Sequence, residues 1–185
     1  MPVTHTIIVN TDEWKNRIES VQKGSLEKFQ RYNFKKNPEH LDKNHIQNLL
    51  SPLPEGYELK KIDETIVKEP SLHALSEDFT AQFDTNEDFI NRGVGFVILN
   101  EEQVVCGATS FSIYDDGIEI EIATDSQHRR KGLATITASA LILDCLDKGI
   151  YPSWDAANKA SVTLAEKLGY IFKESYDTYF INHEE

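Results

Sequence analysis

The sequence predicts an α/β fold in which a mixed, mostly antiparallel central sheet is flanked by helices, with a short N-terminal helical extension. Three observations predict it. Residues 94–124 read as successive strands joined by short turns, residues 132–181 alternate helix and strand, and a polar stretch precedes both.

Taken in order, residues 11–50 read as helical, with Trp14, Ile18, Val21, Leu26, Phe29 and Tyr32 as scattered apolar anchors in a polar background. Pro38 and the run Ser51-Pro52-Leu53-Pro54-Glu55-Gly56 separate this region from the rest of the chain. A boundary is therefore expected near residue 55, with the extension over 1–55 and the main domain over 56–185. Tyr57 to Ile62 reads as a short strand and Pro70 to Phe83 as one amphipathic helix. Asn86 is read as the cap of a further short helix through Asn91 that Gly93 ends. Val94 to Leu99 and Val104 to Ile113 are apolar runs separated by a turn at Asn100-Glu101-Glu102. Ile118 to Thr124 alternates strictly, with Ile118, Ile120 and Ile122 on one face and Glu119 and Glu121 on the other. A helix over 132–148, a strand over 150–154, a helix over 158–168 and a strand pair around 170–173 and 176–181 complete the chain.

Composition narrows the function. A net charge of −12 argues against nucleic-acid binding and against anionic membranes, both of which require clustered cations. No apolar run approaches the length of a bilayer span, and the N-terminus lacks the pattern of a secretory signal, so the chain reads as cytoplasmic. Cys106 and Cys145 lie in apolar stretches and read as buried free thiols rather than a disulfide. The histidines show no paired spacing, so no metal site is expected.

The most informative segment is Gln127-His128-Arg129-Arg130-Lys131-Gly132-Leu133-Ala134-Thr135, between a strand and a long helix. Gly132 permits a tight turn and a close approach of backbone to a ligand. The first N–H groups of a helix lack intrahelical partners and favour anions, and three adjacent cations reinforce this as a phosphate site. Read alone, the segment fits a solvated basic turn equally well. Two features favour the ligand reading. These cations are isolated in an acidic sequence, and helix starts normally attract acidic residues. The glycine spacing excludes both a P-loop and a dinucleotide fingerprint.

Here the chain resembles the GNAT superfamily of N-acetyltransferases. Arg129-Arg130-Lys131-Gly132-Leu133-Ala134 matches the superfamily's Arg/Gln-x-x-Gly-x-Gly/Ala element. Asn158-Lys159-Ala160-Ser161 and Lys167-Leu168-Gly169-Tyr170 match two elements further along. The resemblance covers 117–172 well and 57–112 loosely. It implies a GNAT-like sheet and acetyl-CoA as acyl donor. Arg129, Arg130, Lys131, Gly132, Leu133, Ala134 and Thr135 would hold its pyrophosphate. The backbone of Ile122, Ala123 and Thr124 would pair with its pantetheine arm, with Asn158 nearby. Gly93-Val94-Gly95-Phe96, Glu119-Ile120 and Pro152 to Asn158 further resemble a bacterial subgroup with a larger N-terminal region, of which 1–55 would be a reduced version. Many members form homodimers, an assembly the resemblance allows.

The implied reaction is transfer of acetyl to a primary amine of a small molecule or peptide by direct attack. An amine must lose a proton and the departing thiolate must gain one. Glu119 aligns with the glutamate that many members use as base, ahead of Glu121 on the same face. The tyrosine that commonly returns the proton is replaced by Ala165, which leaves Ser161, water or another tyrosine such as Tyr151. Trp154 and Asp155 fit either an acceptor wall or a core tryptophan beside a helix-capping aspartate. A non-catalytic acyl-CoA sensor is the competing reading, and a docking domain with a vestigial loop is a third.

Overall fold

The computed structural model describes residues 4–9, 11–22 and 25–182. These residues form two sheets. The five-stranded sheet has the order β3 (Tyr57–Lys61), β4 (Gly95–Asn100), β5 (Gln103–Tyr114), β6 (Gly117–Thr124), β7 (Tyr151–Ser153). All neighbours are antiparallel except β6 and β7. The four-stranded sheet, entirely antiparallel, has the order β1 (Thr4–Ile8), β9 (Phe172–Asn182), β2 (Leu26–Phe34), β8 (Asp155–Ala156). The helices are α1 (Asp12–Val21), α2 (Lys43–Asn48), α3 (Pro70–Leu75), α4 (Asn86–Arg92), α5 (Leu133–Asp147) and α6 (Lys159–Lys167).

The isoleucine face of β6 packs on α5, where Ile118, Leu141, Cys145, Val94 and Ala108 form one cluster. α5 is apolar on nearly every side because it lies between this sheet and a second layer. In that layer Phe34, Ile46, Trp154, Ala165, Leu168 and Tyr170 pack against its Ala138 and Ile142. The opposite face of the sheet is covered by α3, α4 and a 3₁₀ turn at Glu77–Phe79, around Leu72, Phe79, Phe89, Val97 and Val104. Cys106 and Cys145 are buried free thiols, as their apolar surroundings predict.

Gly107 marks the tightest contact on that face. A Cβ there would lie 2.7 Å from the Phe79 ring, and Phe79 is fully buried. Gly107→Ala is therefore expected to destabilise the protein by about 1–3 kcal/mol, read from the midpoint of urea unfolding.

Three elements differ from expectation. The helical reading of 11–50 holds for α1 and α2 but fails between them, because 26–34 is a strand with nine residues in register with β9. Phe29 and Tyr32 recur at helical spacing, yet Phe29 stacks on Phe180 of β9 with ring centroids 4.3 Å apart, a cross-strand contact. The N-terminal extension is thus part helix and part sheet. Second, the single helix expected over 70–83 stops at Leu75. Ser76 is extended there, and the chain resumes as the 3₁₀ turn. Third, the strand pair expected around 170–181 is one continuous strand, β9.

The feature that positions the site is a divergence. β7 pairs with β6 only across Gly117–Glu119, after which the chain passes through Trp154 into β8 and joins β2 of the other sheet. From Ile120 to Thr124, β6 keeps its partner β5 and has no strand on its other edge among the described residues.

Candidate functional site

A cleft of about 930 Å³ opens along that unpaired edge. Ile122, Ala123 and Thr124 form its floor, α3 contributes Ser71, Ala74 and Leu75, and α6 contributes Ala160, Ser161 and Leu164. The turn from 125 to 132 and the start of α5 close one end. Asp125 shapes this turn by accepting from the Gln127 N–H at 2.8 Å, and Arg129 Nε ties it back to the Thr124 carbonyl at 3.2 Å. Arg130 (φ 61°) and Gly132 (φ 79°) both take left-handed backbone, so the chain reverses sharply and delivers the N-terminus of α5 to the cleft. Glycine suits position 132 on two counts. Its φ is strained for other residues, and no heavy atom lies within 4 Å of where a Cβ would be, so the approach is open. The first turn of α5 carries no acidic residue, and Gly132 offers no side-chain cap, which leaves its N–H groups free for an anion.

Of the residues singled out from the sequence, Ile122, Ala123, Thr124, Arg129, Arg130, Gly132, Leu133, Ala134, Thr135, Asn158 and Ser161 line this one cleft. Lys131 does not. Its Nζ hydrogen-bonds the Tyr57 hydroxyl and lies 5.0 Å from that ring's centroid. The Thr135 hydroxyl accepts from Lys167 Nζ at 3.3 Å. Asn158 caps α6, its Oδ1 accepting from the Ser161 N–H at 3.0 Å. Ser161 Oγ accepts the Trp154 indole N–H at 3.0 Å, which leaves the serine proton free to donate elsewhere. Trp154 is a core residue, and Asp155 caps no helix. It pairs with Arg31 of β2 and accepts from the Tyr176 hydroxyl at 2.7 Å.

The two glutamates occupy different surroundings. Glu119 lies at the paired end of β6, in an ion pair with exposed Lys36 at 3.2 Å. Glu121 lies where the edge is open, and its Oε1 accepts from Ser76 Oγ at 3.4 Å. Burial pushes the Glu121 carboxyl above the usual carboxylate range, and Asp78 adds to this, against the Ser76 hydrogen bond and Arg31. Neither glutamate is among the residues that line the cleft, and the two differ in depth: Glu121 is the more desolvated, whereas Glu119 is held by an exposed lysine. Tyr151, another residue considered for returning a proton, donates to the Lys35 carbonyl at 3.3 Å, and burial pushes its phenol up to about 12. Sequence reading passed over Ser76 and Asp78, which sit in a segment read as uninterrupted helix, and gave no role to His128, which lines the cleft.

A model described as GNAT acetyltransferase matches residues 2–179 of this chain. The chain belongs to the GNAT acetyltransferase family. Among curated proteins it is 31% identical over 177 residues to the Bacillus subtilis (strain 168) protein named uncharacterized N-acetyltransferase YdfB. That alignment covers 95% of this chain and 65% of the relative, so the chain spans about two-thirds of the relative's length. Among solved structures, a GCN5-related N-acetyltransferase-like protein from Streptococcus suis 89/1591 superposes with a TM-score of 0.87 at 41% identity. It covers 93% of this chain and 69% of its own. A putative acetyltransferase of the GNAT family from Novosphingobium aromaticivorans shares the fold at 13% identity, with a TM-score of 0.63 over 100% of this chain and 75% of its own. At 93% and 100% of this chain, both matches must extend into residues 1–55, consistent with β2 being paired into the fold. Among the described residues no helix is long and apolar enough to cross a membrane.

Proposed function

We propose that this GNAT protein is an acetyl-CoA-dependent N-acetyltransferase that acts on a primary amine of a small molecule or peptide by direct attack. One observation carries the reading. The unpaired edge of β6 and the basic turn at the start of α5 face the same cleft. Extended backbone can pair with an amide-bearing arm as with an added strand, and the turn suits phosphates. Arg129, Arg130 and the free N–H groups of α5 would hold the pyrophosphate, while Ile122 to Thr124 would hold the arm. Acetyl-CoA supplies the acyl group and a thiolate leaving group when bound. An ammonium loses two protons on becoming an amide: Glu121 takes the first, directly or through water, and passes it to solvent, while the Ser161 hydroxyl, which lines the cleft, relays the second to the thiolate and ends protonated as it began. Glu121 and Asp78 make the open side of β6 acidic, which suits an acceptor that arrives as an ammonium.

Ala165, where many relatives carry tyrosine, is fully buried, and this favours the second reading, a sensor that binds acyl-CoA without turnover. Calorimetry with acetyl-CoA is expected to show binding, whose absence would remove both readings. A thiol-release assay across amines then separates them, because only the enzyme liberates CoA faster with an amine than without.

A further inference from the structure

Lys131 was expected at the pyrophosphate, and its position beside Tyr57 points to a different task. Three side chains from two elements meet there. Lys131 Nζ, which can only donate, gives a proton to the Tyr57 hydroxyl oxygen. The same hydroxyl is hydrogen-bonded to His128 Nδ1 at 2.8 Å, and the two rings meet edge-on with centroids 5.7 Å apart. In the tautomer whose Nδ1 accepts the phenol proton, Nε2 carries the ring's proton, and His128, which lines the cleft, then presents a donor away from Tyr57. Tyr57 is itself anchored, packed with Leu59 and Leu53 against Ile98, Val105 and Leu133. Many surface lysines of this acidic chain, among them Lys15, Lys36, Lys43 and Lys148, sit in ion pairs. Among the described residues Lys131 has no carboxylate within 4.0 Å. The Tyr57 hydroxyl holds it instead, and in the chain Lys131 stands between Arg130 and Gly132, both of which line the cleft.

We infer that Tyr57, His128 and Lys131 form a second anion subsite, beyond the α5 N-terminus, that takes the ribose 3′-phosphate distinguishing coenzyme A from dephospho-coenzyme A. The inference rests on the cleft being the acyl-CoA site. A pyrophosphate engaged by Arg129, Arg130 and the α5 N–H groups leaves the phosphomonoester as the remaining dianion of the ligand. Lys131 and His128 are the adjacent donors outside that first set. Tyr57 is then a positioning residue, which fixes the direction of Lys131 and the tautomer of His128.

Calorimetry with coenzyme A and dephospho-coenzyme A tests this on the wild type, Lys131→Ala and Tyr57→Phe. The last of these keeps the packed ring and removes only the hydroxyl. Wild type is expected to prefer coenzyme A by about tenfold or more, the scale of a charge-assisted hydrogen bond. Lys131→Ala should lose most of that preference through weaker coenzyme A binding, with dephospho-coenzyme A affinity unchanged. Tyr57→Phe should reduce the preference in the same direction. Equal affinity of the wild type for both ligands, or an undiminished preference in both variants, overturns the subsite while leaving the acyl-CoA cleft intact. Failure of both ligands to bind folded wild type overturns the cleft assignment itself, and the subsite with it.

Discussion

Glu121→Gln is expected to lower kcat about 100-fold at neutral pH while leaving acetyl-CoA affinity unchanged. Glutamine keeps the volume and can still meet Ser76, so the loss isolates proton transfer. The pH dependence carries the sharper test. Burial and the nearby Asp78 raise the carboxyl, so the base is unprotonated, and active, only above a midpoint displaced upward from the ordinary carboxylate range. The acid limb of the wild-type rate profile should follow that midpoint, and the variant should lack it. Stability must move the opposite way. A carboxyl whose folded pKa is raised binds its proton more tightly when folded, so folding stability declines as pH rises from the unfolded carboxyl value to the folded one. Above that window the charge is a standing cost, which Glu121→Gln removes. The variant should therefore unfold at higher urea than wild type at pH 7 and match it more closely in acid. Glu119→Gln, which loses an exposed pairing with Lys36, should change the rate little. If Glu119→Gln proves the slower enzyme, the roles of the two glutamates are reversed.

Gly132→Glu should abolish measurable acetyl-CoA binding, a loss of at least about 100-fold by calorimetry. Nothing lies within 4 Å of the added Cβ, so the protein does not exclude the side chain by contact. Two effects act on the ligand instead. The side chain projects into the approach to the α5 N–H groups, and its carboxylate competes with phosphate for those donors and for Arg129 and Arg130. Gly132→Ala provides the calibration. It introduces only the left-handed strain, roughly 1–2 kcal/mol, and should weaken binding less than tenfold. Equal losses in the two variants would assign the effect to backbone strain rather than to a blocked anion site.

The part of the molecule at the head of the cleft was the most legible in sequence, and for physical reasons. β6 and the turn to α5 combine strict alternation, a glycine at a left-handed position and cations where a helix start usually has acids, all of them local signals. β2 was not legible. Its aromatic residues fit a helical spacing, and only pairing with a strand about 150 positions later in the chain makes it extended. The break at Ser76 was hidden because its extended conformation serves long-range contacts, among them the hydrogen bond to Glu121. Alternation placed Glu119 and Glu121 on one face but carries no information about depth. Their difference arises from where β7 leaves the sheet, which is set by the pairing of β8 with β2. Lys131 likewise looks equivalent to Arg129 and Arg130 until Tyr57, more than 70 positions earlier, is brought beside it.

The bare stretch of β6 has one more consequence. Strand backbone without a neighbour is a template on which other chains can polymerise, and proteins usually shield such edges with charge, proline or covering loops. Here the edge lies within a cleft. The edge lies at the bottom of a slot between Ala74 and Leu75 on one side and the starts of α5 and α6 on the other. A polypeptide strand entering it would carry side chains toward both walls at every second residue. The pantetheine arm carries side groups at one place only, the geminal methyls and hydroxyl of its pantoyl unit. On the proposed reading, an amide-bearing arm pairs with this edge as an added strand would, and so occupies the backbone groups on which another chain could otherwise build.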